Sequence, residues 1–245
     1  MKMRKLLGFI SACFVIFFLS GATFALAPEE ILKKADNIRA PFKTFVMDVD
    51  LISLSSVMSF RVYSRKGEDS LVLFLKPFTE KGRLLLMKEE NLWIYIPGTH
   101  WPLRITPQQR LAGGIVNGEL ARLRWSLDYN VKQIGENEKS YGLELTSKKK
   151  GATYYRMEVL IEKNSFKPLR SKVYLQSGKL SKTIYFTGFT SFSGNLMATE
   201  LKFVDHLRNE EESKLLYSNV RYQEMPDNYF NTEDLPRLSE TLAEK

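Results

Sequence analysis

Few side chains in this sequence are of a type and spacing that could carry out chemistry. Asp48 and Asp50 are two residues apart, so on a β-strand both carboxylates would face the same side and could act as a general acid and base. Aspartate is mostly exposed in folded proteins, however, and a charged outer strand face is the commoner reason for this spacing. The two histidines, His100 and His206, are far apart and have no metal-ligand spacing.

The sequence also lacks the motifs of common enzymes. It contains no G-x-S-x-G nucleophile elbow, no G-x-x-x-x-G-K-[ST] phosphate loop and no G-x-G-x-x-G dinucleotide loop. Cys13 is the only cysteine, and it lies in an N-terminal segment that we expect to be removed, which leaves neither a thiolate nucleophile nor a disulfide. We therefore predict that the protein is not an enzyme and that it has no catalytic residues, no metal site and no cofactor.

The charge balance argues against nucleic acid as a partner. The 36 Lys and Arg residues exceed the 28 Asp and Glu residues by +8, and three of the basic residues, Lys2, Arg4 and Lys5, belong to the N-terminal segment. The excess that remains is spread along the chain, whereas binding to a phosphate backbone usually needs a concentrated basic stripe.

Residues 1–25 have the pattern of a secretory signal peptide. A basic start is followed by the apolar stretch Leu6–Leu19 and then by small residues, and cleavage after Ala25 would leave 26–245 as a single domain. The alternative is an uncleaved membrane anchor, because 6–27 is long enough to cross a bilayer. Ile10–Cys13 matches a lipoprotein box, but the apolar stretch before Cys13 is too short for a lipoprotein signal.

The remaining sequence predicts one helix followed by many strands. Pro28 and two glutamates suit a helix start, and Ile31, Leu32, Ala35 and Ile38 share one face. From Phe42 the apolar residues alternate with polar ones, and about twelve strands with hairpin-length turns predict a curled antiparallel sheet. One interruption, between Thr106 and Trp125, predicts a broken helical excursion across one mouth of the sheet, weakened by Gly113, Gly114 and Gly118.

Some strands are apolar on both faces. The runs 71–75, 84–87 and 92–96 contain almost no polar residues, which predicts a helix on one side and something apolar on the other. The second side could be ordinary core or a pocket of lipid size. Met47, Met58 and Met157 would suit such a pocket because a thioether adapts to ligands of variable shape.

Several motifs resemble one family. Asn91–Pro97 reads N-L-W-I-Y-I-P, Leu75-Lys-Pro77 precedes it, Trp101–Arg104 follows it, and Met225-Pro-Asp227 with Phe230 resembles a P-D-x-x-F ending. In order and spacing these motifs are similar to those of the LolA-like, outer-membrane lipoprotein-sorting proteins of the periplasm. The resemblance runs from the signal peptide to about Leu235.

The resemblance implies a fold and a lid. The fold would be mainly β (α+β), a curled antiparallel sheet that forms an incomplete β-barrel with short helices plugging its concave side and acyl chains bound inside. In the family an arginine holds the lid closed, and Arg65 lies in about the corresponding place, although the surrounding R-P motif is missing. Together with Gly113, Gly114 and Gly118 it forms our set of lid residues. The acid of a G-x-[DE] element corresponds to Glu119, but the residues that usually follow it differ.

The resulting hypothesis is a periplasmic carrier that shields acyl chains of a lipoprotein, or of another acylated lipid, on the way from the inner to the outer membrane. Its implied partners are an inner-membrane export complex such as an ABC transporter and an outer-membrane acceptor. The alternative is a membrane-anchored envelope sensor or scaffold with the same fold. Replacing Val49 or Phe60 with Glu should abolish lipid retention without unfolding the protein. Alternation and bulk select the expected lipid-lining residues, which are Phe45, Met47, Val49, Phe60, Val62, Leu73, Trp93, Met157, Val159 and Phe203.

Overall fold

A computed structural model of the chain describes residues 26–244, and the predicted signal peptide lies outside the described residues. The helices are α1 (Pro28–Arg39), α2 (Asn117–Ala121) and α3 (Leu235–Ala243). The strands are β1 (Thr44–Ser53), β2 (Val57–Arg65), β3 (Asp69–Lys76), β4 (Leu84–Lys88), β5 (Asn91–Tyr95), β6 (Leu103–Ile105), β7 (Arg110–Ala112), β8 (Ile115–Val116), β9 (Tyr129–Glu136), β10 (Ser140–Ser147), β11 (Arg156–Glu162), β12 (Pro168–Tyr174), β13 (Leu180–Phe192), β14 (Asn195–Asp205) and β15 (Glu211–Tyr222). No helix between residues 26 and 244 has the length and apolarity needed to span a membrane.

Thirteen strands form one large antiparallel sheet. Strands β1 to β6 run outward from the centre to one edge, and β9 to β15 return from the other edge, so that β15 pairs with β1. Strands β6 and β9 are the two edges, and the sheet curls without closing into a barrel. Strand twist accumulates across so many strands, which bends the sheet around the side chains on its inner face. The predicted fold class is therefore confirmed.

The inner face of the sheet is apolar from edge to edge. Residues such as Phe60 of β2, Leu145 of β10 and Phe203 of β14 belong to one buried cluster, which also contains Ile31 and Leu32 of α1 and Leu120 of α2. The predicted apolar face of α1 is thus buried against the sheet. Because α1 and α2 cover the concave side, most of the apolar surface of the inner face is removed from water.

A second apolar cluster covers the outer face of β1 to β5. It joins Leu71 and Leu84 to the C-terminal segment, which we define as residues 225–243 and which includes α3. In α3 the residues Leu235, Leu238 and Leu242 lie on the sheet side, and Ser239 donates a hydrogen bond of 2.6 Å to the carbonyl oxygen of Gly82. This covering helix explains why several strands are apolar on both faces.

The segment that joins the two edge strands differs from its prediction. Residues 106–128, here named the crossing segment, were expected to begin as a helix, but they form the hairpin of β7 and β8 before the short helix α2. Gln109 does accept the N–H of Thr106 at 3.0 Å, as a helix cap would. The chain then turns back at Gly113, whose φ of +54° is left-handed and ends any helix at that point.

Candidate functional site

The interior of the curled sheet contains most of the predicted lipid-lining residues. Eight side chains are at most 1% exposed and lie in the inner cluster, and they are Phe45, Met47, Val49, Phe60, Val62, Met157, Val159 and Phe203. They come from β1, β2, β11 and β14, so the predicted alternation places strands from both halves of the sheet on one surface.

Two of the predicted lining residues lie elsewhere. Leu73 is buried in the outer cluster, and Trp93 packs against the same cluster, so both face the C-terminal segment rather than the interior. Their strands are apolar at almost every position. Alternation then carries no information about which face is inside, and bulk alone selected the wrong side.

The interior is filled in this structure. A void inside, bounded by residues including Arg39, Trp125 and Phe203, has a volume of about 30 Å³, which is room for about one or two water molecules. An acyl chain could therefore enter only if α1 or the crossing segment moved. The packed interior also changes the expectation that glutamate at Val49 or Phe60 would leave the protein folded. Such a glutamate would be buried without a partner and would destabilise the fold.

The crossing segment is held over the interior by a buried ion pair. The Lys182 ammonium on β13 lies 2.9 Å from Oε1 of Glu119 on α2, and both side chains are less than a tenth exposed. Lys182 also donates to the Tyr154 hydroxyl at 3.0 Å, that hydroxyl donates to Glu119, and Oε2 of Glu119 accepts the N–H of Val116 at 2.7 Å. Burial raises the pKa of Glu119 above its ordinary value, and the charge of Lys182 opposes that shift.

Helix α1 and the end of the crossing segment hold each other. The buried carboxylate of Asp36 accepts the backbone N–H groups of Trp125 and Ser126, each at 2.8 Å. The guanidinium of Arg39 lies 3.8 Å from the centre of the Trp125 ring, and that ring meets Phe186 edge to face at 5.8 Å. The two elements that fill the interior are therefore fastened together as well as to the sheet.

A second buried ion pair fixes the part of the crossing segment that follows α2. Nε of Arg122 lies 3.0 Å from Oδ2 of Asp128, and the guanidinium also donates to the carbonyl oxygens of Glu68 and Glu89 in two strand turns. Burial raises the pKa of Asp128, and Arg122 opposes that shift.

The predicted lid glycines lie where the crossing segment approaches the sheet. A Cβ on Gly113 would be 2.3 Å from Oγ of Ser213, and one on Gly118 would be 2.3 Å from Oγ1 of Thr153. Gly114 lies against Asp205. A larger side chain at position 113 or 114 would push the hairpin away from the sheet, and one at 118 would push α2 away from Thr153 in the β10–β11 connection, so these glycines allow close packing. A gating role for them stays a prediction.

Arg65, the predicted lid arginine, contacts a different part of the molecule. It forms ion pairs with Asp69 at 2.8 Å and with Asp227 at 2.5 Å, and its guanidinium lies 4.2 Å from the centre of the Phe230 ring. Asp227 and Phe230 belong to the C-terminal segment on the outer face. Arg65 therefore holds that segment in place, and it does not contact the crossing segment, which Lys182, Asp36 and Arg122 hold.

Replacing Arg65 with alanine should loosen the C-terminal segment without affecting the interior. We expect the free energy of unfolding to fall by about 1–2 kcal/mol, because two partly exposed ion pairs and a cation–π contact are lost. Limited proteolysis should cut the variant sooner within 225–243. A variant whose C-terminal segment stayed protected, while cleavage rose in the crossing segment, would contradict this assignment.

The two aspartates that could act as a general acid and base lie on the outer face, and neighbouring side chains already donate hydrogen bonds to both. Asp48 accepts hydrogen bonds from Arg61 at 2.8 Å and from Asn219 at 2.9 Å, and Asp50 accepts one from Ser59 at 2.6 Å. Partial burial works to raise the pKa of Asp48, but these donors outweigh it and hold the pKa below its ordinary value. Its carboxylate is thus a poor source of protons for general acid catalysis.

A groove leads from the surface towards the Glu119–Lys182 pair. It has a volume of about 400 Å³ and lies between the β7–β8 hairpin and strands β12 to β14. Val116, Tyr154, Val173 and Leu175 give it an apolar wall, and Lys182 lies at its inner end. A larger depression of about 780 Å³ near the end of α1 is lined mostly by polar residues, which makes it a poorer match for an acyl chain.

Sequence reasoning missed Lys182 and Tyr154 as fastening residues, although one signal was present. Lys182, Ile184 and Phe186 are spaced two apart on β13, and the latter two are buried. A lysine in phase with buried residues is expected to point inward, where it needs a counter-charge. Its partner, Glu119, is 63 residues away and could be identified only from the fold.

Known structures of the same architecture match nearly the whole described chain. A family model described as an uncharacterized protein matches residues 66–237, and no curated protein matches the sequence. A DUF1329 family protein from Desulfovibrio piger is 22% identical with a TM-score of 0.71, covering 85% of this chain and 97% of that one. A protein domain from Vibrio parahaemolyticus described as outer membrane lipoprotein-sorting is 19% identical with a TM-score of 0.70, covering 86% and 98%.

These two matches show the fold alone, but a third shows the family. A LolA superfamily protein from Nitrosomonas europaea is 30% identical over 84% of this chain and 98% of its own, and the two structures superpose with a TM-score of 0.79. The identity and coverage extend the resemblance seen in the motifs to the folded chain. The chain belongs to the LolA superfamily.

Proposed function

We propose that the protein is a carrier that shields acyl chains of a lipoprotein, or of another acylated lipid, in its concave interior. The observation that carries this proposal is an apolar inner face covered by α1 and the crossing segment, which side-chain contacts such as the Glu119–Lys182 pair hold in place and which do not pair with the large sheet. The eight interior residues named above would line the site, and the groove beside the β7–β8 hairpin would be its entrance. The role is one of binding, and we assign no catalytic residue.

Such a carrier exchanges contacts within the protein for contacts with the acyl chain. Burying a CH₂ group is worth about 0.8 kcal/mol, so a long chain shielded from water gains many kcal/mol. Opening the interior exposes the apolar sides of α1 and α2 and breaks the Glu119–Lys182 pair, which offsets part of that gain. Release stays possible because the protein regains these contacts when the chain leaves.

The proposed setting rests on the signal peptide that the sequence predicts and on the family. We propose that the protein is exported to the periplasm, with cleavage after Ala25, and that residues 26–245 act as one domain. An inner-membrane export complex such as an ABC transporter would load it, and an outer-membrane acceptor would receive the cargo. Support comes from the lipoprotein-sorting description of a protein with the same fold.

Native mass spectrometry of the protein purified from its own cell envelope tests this function. We expect an acylated species to co-purify, and organic extraction would identify it as lipoprotein, phospholipid or another lipid. Uptake of a fluorescent acylated peptide by the emptied protein should follow, with the same peptide lacking its acyl chain as the control. A protein that is empty and takes up neither would contradict the carrier and favour a sensor or scaffold.

A further inference from the structure

The groove beside the β7–β8 hairpin continues into a second depression. This depression has a volume of about 720 Å³, and it shares four lining residues with the groove, which are Gln108, Tyr154, Tyr155 and Gln176. The end of β10 and the connection between β10 and β11 form the rest of its wall. Because the two depressions adjoin, an elongated ligand could occupy both at once.

The second depression, here named the basic depression, is positively charged where the groove is apolar. Within the described part of the chain, its wall contains the three consecutive lysines 148–150 and no acidic residue. Lys149 is paired with Glu90 at 3.0 Å. Lys148 and Lys150 are exposed, and neither forms an ion pair with any of residues 26–244. Two positive charges in the basic depression therefore have no counter-charge in the described chain.

Contacts on two sides hold the connection that carries these lysines. Gly151 packs against the 89–90 turn so closely that a Cβ on it would lie 2.6 Å from the carbonyl oxygen of Glu90. The side-chain amide of Gln108 donates a hydrogen bond to the carbonyl oxygen of Ala152. The connection is thus a fixed wall of the basic depression rather than a free hairpin tip, and it presents its lysines at one place.

The groove and the basic depression suit the two parts of an amphipathic molecule. Val173 and Leu175 give the groove an apolar wall on which an aliphatic chain would lose contact with water. An anion would be repelled there by Asp205, and the ammonium of Lys182 at the inner end is already paired with Glu119. A negative group attached to the chain would therefore lie in the basic depression.

We propose that the site selects acylated lipids whose headgroup carries a net negative charge, such as a phosphate diester. The acyl chain would run along the groove, and the headgroup would lie beside Lys148 and Lys150, whose ammonium groups are compact charges that attract phosphate oxygens. A zwitterionic headgroup would gain less, because its own positive charge offsets the attraction. The inference rests on the proposed function, since it names the class of lipid that the entrance of the carrier prefers.

Titration with two soluble lipids tests this preference. Lysophosphatidylglycerol and lysophosphatidylcholine with the same acyl chain, each below its critical micelle concentration, differ in the net charge of the headgroup. In isothermal titration calorimetry at about 0.05 M salt we expect the anionic lipid to bind about fivefold more tightly, and at about 0.5 M salt the difference should shrink to about twofold or less. Glycerol phosphate, which has the charge without the chain, should bind too weakly to detect.

A double variant in the basic depression has a matched control. Lys148→Gln with Lys150→Gln should weaken binding of lysophosphatidylglycerol about fivefold and leave that of lysophosphatidylcholine within about twofold. Both side chains are exposed, so the fold should be kept. Lys43→Gln with Lys66→Gln removes the same charge from exposed lysines of the larger depression near the end of α1. This control should leave both affinities within about twofold.

The outcomes separate the headgroup proposal from the carrier function. Equal affinities for the two lipids, equal losses in the two double variants, or tight binding of glycerol phosphate would overturn the headgroup proposal and leave the carrier function standing. Uptake of the acylated peptide by a protein that binds neither lipid would also overturn it and would favour a lipoprotein as the cargo. A protein that binds neither the lipids nor the peptide would contradict the carrier function as well.

Discussion

Replacing Lys182 with methionine should lower the free energy of unfolding by about 3–5 kcal/mol, which is the usual cost of leaving one charge of a buried pair without its partner. The lysine is buried, and its ammonium lies within 6 Å of the centres of the Tyr154 and Phe203 rings. Methionine fills similar space, so the loss would come from the unpaired Glu119. Urea unfolding followed by circular dichroism measures it.

Two further variants separate the ion pair from the loss of packing. Adding Glu119→Gln to the Lys182→Met protein should restore most of the stability, because a neutral amide no longer needs a counter-charge, and the four proteins form a double-mutant cycle. Lys214, paired with Glu200 on the surface at 3.1 Å, is the matched control. Lys214→Met should cost less than about 1 kcal/mol. A Lys182→Met loss no larger than that would contradict a buried fastening.

A buried ion pair suits a cover that would open to admit an acyl chain, as we propose. Well-packed apolar residues in place of a buried ion pair often hold a structure at least as firmly. An ion pair, however, loses much of its attraction once water reaches it, since the effective dielectric constant rises. The crossing segment would therefore be held firmly while the Glu119–Lys182 pair is buried and more weakly once water reaches the pair. This property would make opening cooperative.

Alternation predicted the interior correctly where polar residues interrupt the strands. In β1 and β2 the charged and hydroxyl side chains at Asp48, Asp50, Ser59 and Arg61 mark the outer face, so their apolar neighbours must point inward. The same reasoning worked for Met157 and Val159 of β11. The sheet and most of its inner surface could thus be predicted without knowing what covers either face.

The outer cover could not be predicted in the same way. Strands β3 and β4 are apolar at every central position because the C-terminal segment buries their outer face, and this removes the signal that assigns Leu73 to a side. The spacing of Leu235, Leu238 and Leu242 does indicate an amphipathic helix. Which face of the sheet it covers depends on the path of the chain after β15. Likewise, the glycines at 113 and 114 indicate a turn only when the hairpin's contacts with β1, β14 and β15 are known.

Locking the crossing segment to the sheet should abolish lipid uptake. A Cβ on Gly113 would lie 3.3 Å from the Cβ of Ser213, slightly closer than in most disulfides, so Gly113→Cys with Ser213→Cys should form a bridge after a small shift. Cys13 is the only native cysteine, and Cys13→Ser removes it. We expect the oxidised protein to take up less than a tenth of the fluorescent acylated peptide that the reduced protein takes up, because the bridge holds the hairpin over the interior.

The disulfide tests whether the hairpin has to move, because uptake is measured on the same protein in its oxidised and its reduced form. Cysteine at Gly113 has a left-handed φ and costs about 1–2 kcal/mol, but that cost is the same before and after reduction. A bridge between Asp50 and Ser59, which face each other on β1 and β2, is the control, since it joins two strands and leaves the crossing segment free. Oxidising it should not change uptake. If the locked hairpin took up the peptide as fast as the reduced one, the chain would have to enter elsewhere, and α1 would become the element that moves.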